Sequence, residues 1–321
     1  MAHTRTVLIT GGAGFIGSHL SRRLLDDGAE VRALDNFLPN YDLTLKRHNV
    51  SMLSGHDGYT FIECDILEND LDPLVDGCDA VVHLAARAGV RPSLEDPGRY
   101  AATNIDGTVR LLEAVRRCDV ERVVFASSSS VYGDSTPVPF SESHPDPRPI
   151  SPYGWSKLAG EALCRLYHDL YGIHIVALRF FTVYGPGQRP DMGIHRFIAA
   201  AETGATIEMY GNGSTSRDYT YIDDIIAAIG RALDLRPGFE VINLGNSSPV
   251  TLSELIGIIE RVTGHRIRTV RKPIPTGDML RTHADVARAR RLLGYRPSTP
   301  LVEGIRAQVE WYRSMAAGGL L

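Results

Sequence analysis

The chain has 321 residues, 43 % hydrophobic and 22 % charged, the balance of a globular fold rather than a disordered or fibrous one. Its formal net charge of -4 gives no electrostatic case for nucleic acid or an anionic membrane as partner. No apolar run reaches the roughly 18 residues of a transmembrane helix, and the chain enters a strand without a signal peptide. The four cysteines, Cys64, Cys78, Cys118 and Cys164, have neither metal-ligand nor disulfide-framework spacing. Reduced thiols in a cytoplasmic protein without a metal are therefore expected.

In chain order, residues 6–10 (TVLIT) form a short β-branched apolar run, a buried strand. Gly11, Gly14 and Gly17 follow at once, and helical periodicity runs over 18–27 to a stop at Gly28. Glycines between a strand and a helix permit a tight turn, close approach of backbone to a pyrophosphate, and tight helix–strand packing. A second strand over 30–34 leads to Asp35, about twenty residues on, where a carboxylate bonds an adenosine ribose. Asn36 follows, with no arginine close by to receive a 2′-phosphate, so the sequence points to NAD rather than NADP. Residues 37–58 read as a polar, irregular excursion. Residues 59–64 form a third strand, and Asp65 and Ile66 after it are placed to meet an adenine edge.

A fourth strand over 80–86 ends in small residues, Leu84-Ala85-Ala86, which leave room for a cofactor in a crevice. His83, inside that run, reads as a satisfied core histidine. Residues 97–117 read as one long helix with Asn104 early in it. A fifth strand over 122–126 runs into Ser127, Ser128, Ser129 and Ser130, and a proline-rich loop over 136–152 precedes a helix that carries Tyr153 and Lys157. Four apart on a helix, these two share a face. A lysine beside a phenol stabilises phenolate, so Tyr153 is expected to titrate below its ordinary value of about 10 and to act as a general base. By itself this spacing is also that of any exposed pair.

A sixth strand spans 173–180, after which the alternation weakens. Helices are expected over 194–203, 221–233, 251–262, 284–293 and 301–314, with Thr251 and Glu254 as a capping box. Strands are expected over 207–210, 240–244 and 267–270. The pattern is α/β: a doubly wound parallel sheet of Rossmann type with a smaller mixed α/β C-terminal lobe. The dinucleotide domain is drawn at 1–184 with return segments at about 220–250. The substrate lobe takes 185–219 and 251–321.

With the glycine loop, Asp35, the serine run and Tyr153/Lys157 in this order, the chain resembles the extended short-chain dehydrogenase/reductase superfamily over essentially its whole length. Within it the chain resembles the nucleotide-sugar 4-epimerases, most closely the UDP-glucuronate 4-epimerases. The stretches that carry the last step are Ala88-Gly89-Val90-Arg91, Phe180-Phe181-Thr182-Val183-Tyr184-Gly185-Pro186, Arg189-Pro190-Asp191-Met192 and Arg217-Asp218-Tyr219.

The resemblance implies a catalytic triad of Ser128, Tyr153 and Lys157. It implies NAD held by Gly11, Gly14, Phe15, Ile16, Gly17, Asp35, Asn36, Asp65, Ile66, Leu84, Ala85, Ala86, Asn104, Ser127 and Phe180, besides Tyr153 and Lys157. Arg217 resembles the ligand of the UDP pyrophosphate, and Asp278 the residue near the uridine ribose. Ser129 and Ser130 stand where dehydratases and decarboxylases carry acids, which argues against elimination. Arg189 is the candidate for a C5 carboxylate, which its guanidinium fork matches, and Thr182 fits the same site. Arg91 or Arg87 assists, though Arg87 alternatively serves the cofactor or only its loop; the sequence leaves that open. The implied function is 4-epimerisation of a UDP-hexuronate through transient oxidation at C4. The alternative is a neutral UDP-hexose or UDP-N-acetylhexosamine, with a UDP-glucuronate decarboxylase or a non-catalytic NAD-binding protein further behind. Surplus apolar residues on the helices at 97–117 and 152–171 imply a homodimer through a four-helix bundle.

Overall fold

The computed structural model describes residues 4–321. Strands β1 (Thr6–Thr10), β2 (Glu30–Asp35), β3 (Tyr59–Glu63), β4 (Ala80–His83), β5 (Arg122–Ser128), β6 (His174–Phe180) and β10 (Phe239–Leu244) build a seven-stranded sheet in the order β10-β6-β5-β4-β1-β2-β3. Every pairing in it is parallel. Both faces are covered, which is why the strands read as continuous apolar runs. Along β1, Val7 and Ile9 enter one core with helices α1 (Phe15–Asp26) and α9 (Ile222–Leu233), while Leu8 enters the other with α6 (Gly107–Arg117) and α7 (Pro152–Tyr171). Strand order reverses between β1 and β4, which opens a crevice at their carboxyl ends.

The remaining helices are α2 (Leu43–Ser51), α3 (Asp72–Val75), α4 (Val90–Glu95), α5 (Pro97–Ala101), α8 (Gly193–Thr203), α10 (Leu252–Thr263), α11 (Ala287–Leu293) and α12 (Leu301–Ala317). The smaller sheets join β7 (Thr182–Tyr184) to β9 (Ser216–Tyr221) and β11 (Pro249–Thr251), and β8 (Thr206–Tyr210) to β12 (Arg268–Lys272). A third core, with Phe197, Ile259, Ile305 and Tyr312, packs α8, α10 and α12 together. Buried Asp218 accepts from the backbone N–H groups of Asn246 (2.7 Å), Ser247 (3.0 Å) and Ala284 (2.9 Å), stitching β9 to segments that flank β10 and α11.

Several sequence expectations need correcting. The irregular stretch at 37–58 contains α2, capped by the Asp42 carboxylate, which accepts from Thr44 N at 2.8 Å. The first helix starts at Phe15 rather than at residue 18, because Gly14 serves as its N-cap. The helix expected over 97–117 carries a π-turn at Ala102–Asp106, and the last helix extends to Ala317. The Thr251/Glu254 capping box is present in both directions. Among the described residues no helix is long and apolar enough to cross a membrane.

Candidate active site

A crevice of about 850 Å³ opens between the carboxyl ends of the large sheet and the smaller lobe. At one end lies the turn from β1 into α1. Gly11 adopts φ +74°, and a Cβ on Gly17 would stand 2.3 Å from the Gly11 carbonyl oxygen, so neither position tolerates a side chain. With Gly14 also bare, the first N–H groups of α1 face the crevice without a screen, the arrangement that receives a phosphate. Phe15 and Ile16 line the same wall.

Asp35 Oδ1 accepts from Phe37 N (2.9 Å) and from Lys46 Nζ (3.1 Å), both side chains being buried. Asn36 donates to Asp65 at 2.8 Å, and Ile66 follows in the wall. Opposite, Leu84, Ala85 and Ala86 form a low wall, with Ala85 N held by Thr10 Oγ1 at 3.1 Å. A bare helix N-terminus, a fixed carboxylate at the end of β2 and walls of small side chains fit a dinucleotide. His83 is the core residue expected: Thr10 (2.7 Å) and Thr108 (3.0 Å) engage its ring nitrogens, and burial pushes its pKa down to about 3.

Ser151 caps α7 by accepting from Gly154 N at 3.1 Å, and Pro152 fills the first helical position, where no N–H is needed. Tyr153 and Lys157 therefore project from the first turns of α7 into the crevice. Ser128, at the end of β5, hydrogen-bonds the Tyr153 hydroxyl and accepts from Ser130 N at 3.1 Å. Lys157 Nζ donates to the Ala126 carbonyl at 2.8 Å, and burial pulls its pKa down to about 8.

The expected depression of Tyr153 by Lys157 is not what the structure shows. Burial of the hydroxyl pushes the Tyr153 pKa up, and the opposing pulls come from the Ser128 hydrogen bond and the charge of Arg189. Tyr100 stands edge-on to Tyr153, with ring centroids 6.3 Å apart.

Farther along, Ser129, Ser130, Thr182, Phe180 and Arg217 line the crevice. Arg189 makes a fork with Asp191, Nε–Oδ1 at 2.9 Å and Nη2–Oδ2 at 2.6 Å. Arg91 pairs with Asp278 at 2.7 Å and lies over the Tyr210 ring at 4.0 Å, tying it to the Asp278 end rather than to Arg189. Arg87 Nε is buried without a hydrogen-bond partner among the described residues, on a side chain that faces the crevice. The Ser127 hydroxyl is directed at Glu161.

Asn104 alone of the sequence candidates falls outside the lining. Its place in the π-turn buries it one layer back, where it accepts from Arg87 N (2.8 Å) and donates to Arg87 O (3.0 Å) and Ser156 (2.9 Å). It is a brace for the wall rather than a wall residue.

Residues 7–245 match the family described as "NAD dependent epimerase/dehydratase family". The chain belongs to that family. A UDP-glucuronate 4-epimerase of Thermodesulfobacterium geofontis is 40 % identical over 309 residues, 95 % of either chain. The crystal structure of the Bacillus cereus UDP-glucuronic acid 4-epimerase in complex with UDP-glucuronic acid and NAD superposes with a TM-score of 0.93 at 38 % identity, covering 97 % of this chain and 99 % of that one. MoeE5 in complex with UDP-glucose and NAD superposes at 0.88 with 40 % identity, over 97 % and 99 % of the two chains.

In this member of the epimerase/dehydratase family, sequence reasoning missed Tyr41, Lys46, Asp191 and Tyr210, all of which line the crevice. Tyr41 and Lys46 sit in or beside the helix misread as irregular, and Asp42 at its cap was the available signal. Asp191 lies two residues after Arg189 and was legible as a neighbour, though not as a partner.

Proposed function

We propose that this protein is an NAD-dependent 4-epimerase of a UDP-hexuronate, interconverting UDP-glucuronate and UDP-galacturonate. The observation that carries the reading is the meeting of Ser128, Tyr153 and Lys157 with Arg189 in one crevice whose strand end presents Ser129 and Ser130 instead of acids. NAD, held along Gly11, Gly14, Gly17 and Asp35, supplies a hydride sink and source for C4. Tyr153 takes the O4 proton and later returns it. Ser128 hydrogen-bonds O4 and supports the developing carbonyl. Lys157 adds a buried positive charge beside them.

Arg217 and Asp278 are assigned to the UDP, and Arg189 with Thr182 to the carboxylate. Inversion requires the sugar to present its other face before Tyr153 gives the proton back. The division of the chain into a dinucleotide part (1–184 and about 220–250) and a nucleotide-sugar part (185–219 and 251–321) follows from these assignments.

Purified protein incubated with UDP-glucuronate and no added cofactor is expected to yield UDP-galacturonate when the sugar nucleotides are resolved. A UDP-pentose as the main product, or conversion of UDP-glucose and UDP-N-acetylglucosamine alone, overturns the reading. The neutral-sugar alternative draws on one observation: the Arg189 fork is already partnered by Asp191.

The protein is also proposed to pair through α7. Its outward face exposes Trp155, Leu166, Leu170 and Tyr171, whereas α6 has none of the large exposed hydrophobics of the described residues, so the apolar surplus lies on α7 alone. A monomer by light scattering at micromolar concentration sinks this.

A further inference from the structure

Behind the crevice lies a charged cluster that the proposed mechanism does not use. Arg179 of β6 forks Glu161 of α7, Nε–Oε1 at 2.8 Å and Nη2–Oε2 at 2.7 Å, with both side chains less than a tenth exposed. The Ser127 hydroxyl donates to the same carboxylate. Arg179 is itself fixed: its guanidinium lies over the Tyr132 ring at 4.7 Å, and the Tyr132 hydroxyl donates to Asn243 at 2.7 Å.

A buried ion pair of this kind adds little net stability compared with apolar side chains of the same size. Stability is therefore a weak reason for it, and its position supplies a better one. Glu161 stands four residues after Lys157, on the same face and one helical turn away. It is the natural counterion for Lys157, yet Lys157 donates to the Ala126 carbonyl and both oxygens of Glu161 are committed elsewhere.

We infer that Arg179 is a positioning residue that captures Glu161 and so keeps it from neutralising Lys157. The inference rests on the assignment of Tyr153 and Lys157 as base and neighbouring cation. With Arg179 in place the three charges sum to one positive charge, located at Lys157. Removing Arg179 alone leaves a buried carboxylate one helical turn from Lys157, and it neutralises the charge that the proposed mechanism places beside Tyr153. Removing Arg179 and Glu161 together restores it. The other titratable groups that act on or feel Lys157 are Cys164 on its own helix and neutral His83 from β4, while Arg189 acts on Tyr153. None of these changes in the comparison.

The test measures kcat, KM and the pH profile for wild type, Arg179→Met, Arg179→Met/Glu161→Gln and Tyr153→Phe with NAD bound, well below each denaturation midpoint. In Arg179→Met the acid limb of kcat is expected to move to higher pH by about one unit, and kcat at pH 7 to fall about tenfold, with KM nearly unchanged. The double variant is expected to return both to near wild type. A purely structural role moves the denaturation midpoint and leaves the limb where it is. If Arg179→Met does not fold, Arg179→Gln takes its place in the comparison: a limb moved to higher pH and restored in Arg179→Gln/Glu161→Gln supports the inference, and a limb that stays put overturns it. A double variant no faster than the single also overturns it. Activity retained in Tyr153→Phe instead defeats the assignment beneath.

Discussion

Replacing Tyr153 with phenylalanine is expected to lower kcat by about a thousandfold while KM for the UDP-sugar stays within a few-fold. The ring and its edge contact with Tyr100 survive the change, so what is lost is the atom that exchanges a proton with O4. The pH profile carries a second signature. Burial raises the Tyr153 pKa, so the tyrosine gives up its proton only on the alkaline side of neutrality. A base must be deprotonated to act, so kcat/KM for wild type is expected to rise with pH from neutrality into the alkaline range and to fall as pH drops. In the phenylalanine variant the residual rate loses that limb. Turnover within tenfold of wild type would remove Tyr153 from the role of base.

The parts of this site that were readable in advance are those whose chemistry is local in sequence. The glycine turn, Asp35 at the end of β2 and the one-turn spacing of Tyr153 and Lys157 each follow from neighbours a few residues apart, and the alternation of strands and helices fixed the parallel sheet around them. Burial was not readable. Tyr153 was expected to titrate low because a lysine stood near it; the desolvation of its hydroxyl runs the other way and outweighs the pulls of Ser128 and of the Arg189 charge.

Pairings across the fold were hidden for the same reason. Lys46 reaches Asp35 from α2, whose composition is polar and whose apolar residues, Leu43, Leu45 and Val50, make no clear helical stripe. Arg91 meets Asp278 from the other end of the chain, and Arg179 meets Glu161 across two elements. An arginine in a motif shows that a fork is available, and only tertiary structure shows which carboxylate is in it.

That distinction bears directly on Arg189, where the second large effect is expected. One edge of its guanidinium is engaged by Asp191, which leaves the Nη1–Nη2 edge for a sugar carboxylate. Arg189→Ala is expected to reduce kcat/KM for UDP-glucuronate by roughly ten- to a hundredfold, the worth of a charge-assisted bidentate contact. Turnover of a neutral UDP-hexose, having no carboxylate to lose, is expected to change little.

Product identity is the sharper readout. A glucuronosyl sugar oxidised at C4 is a β-keto acid, and it loses carbon dioxide when charge flows from the carboxylate into the ketone. A guanidinium fixed on that carboxylate stabilises the charge where it starts, and holds the C–C bond out of line with the carbonyl, so the barrier to loss rises. Without Arg189, UDP-pentose is expected to appear beside the epimer. Arg189→Lys keeps the charge without the fork and is expected to recover affinity more than product control. If neither variant alters affinity or the ratio of epimer to pentose, Arg189 does not hold the carboxylate, and the choice between uronate and neutral sugar passes to Arg87, whose buried Nε has no partner within the described residues.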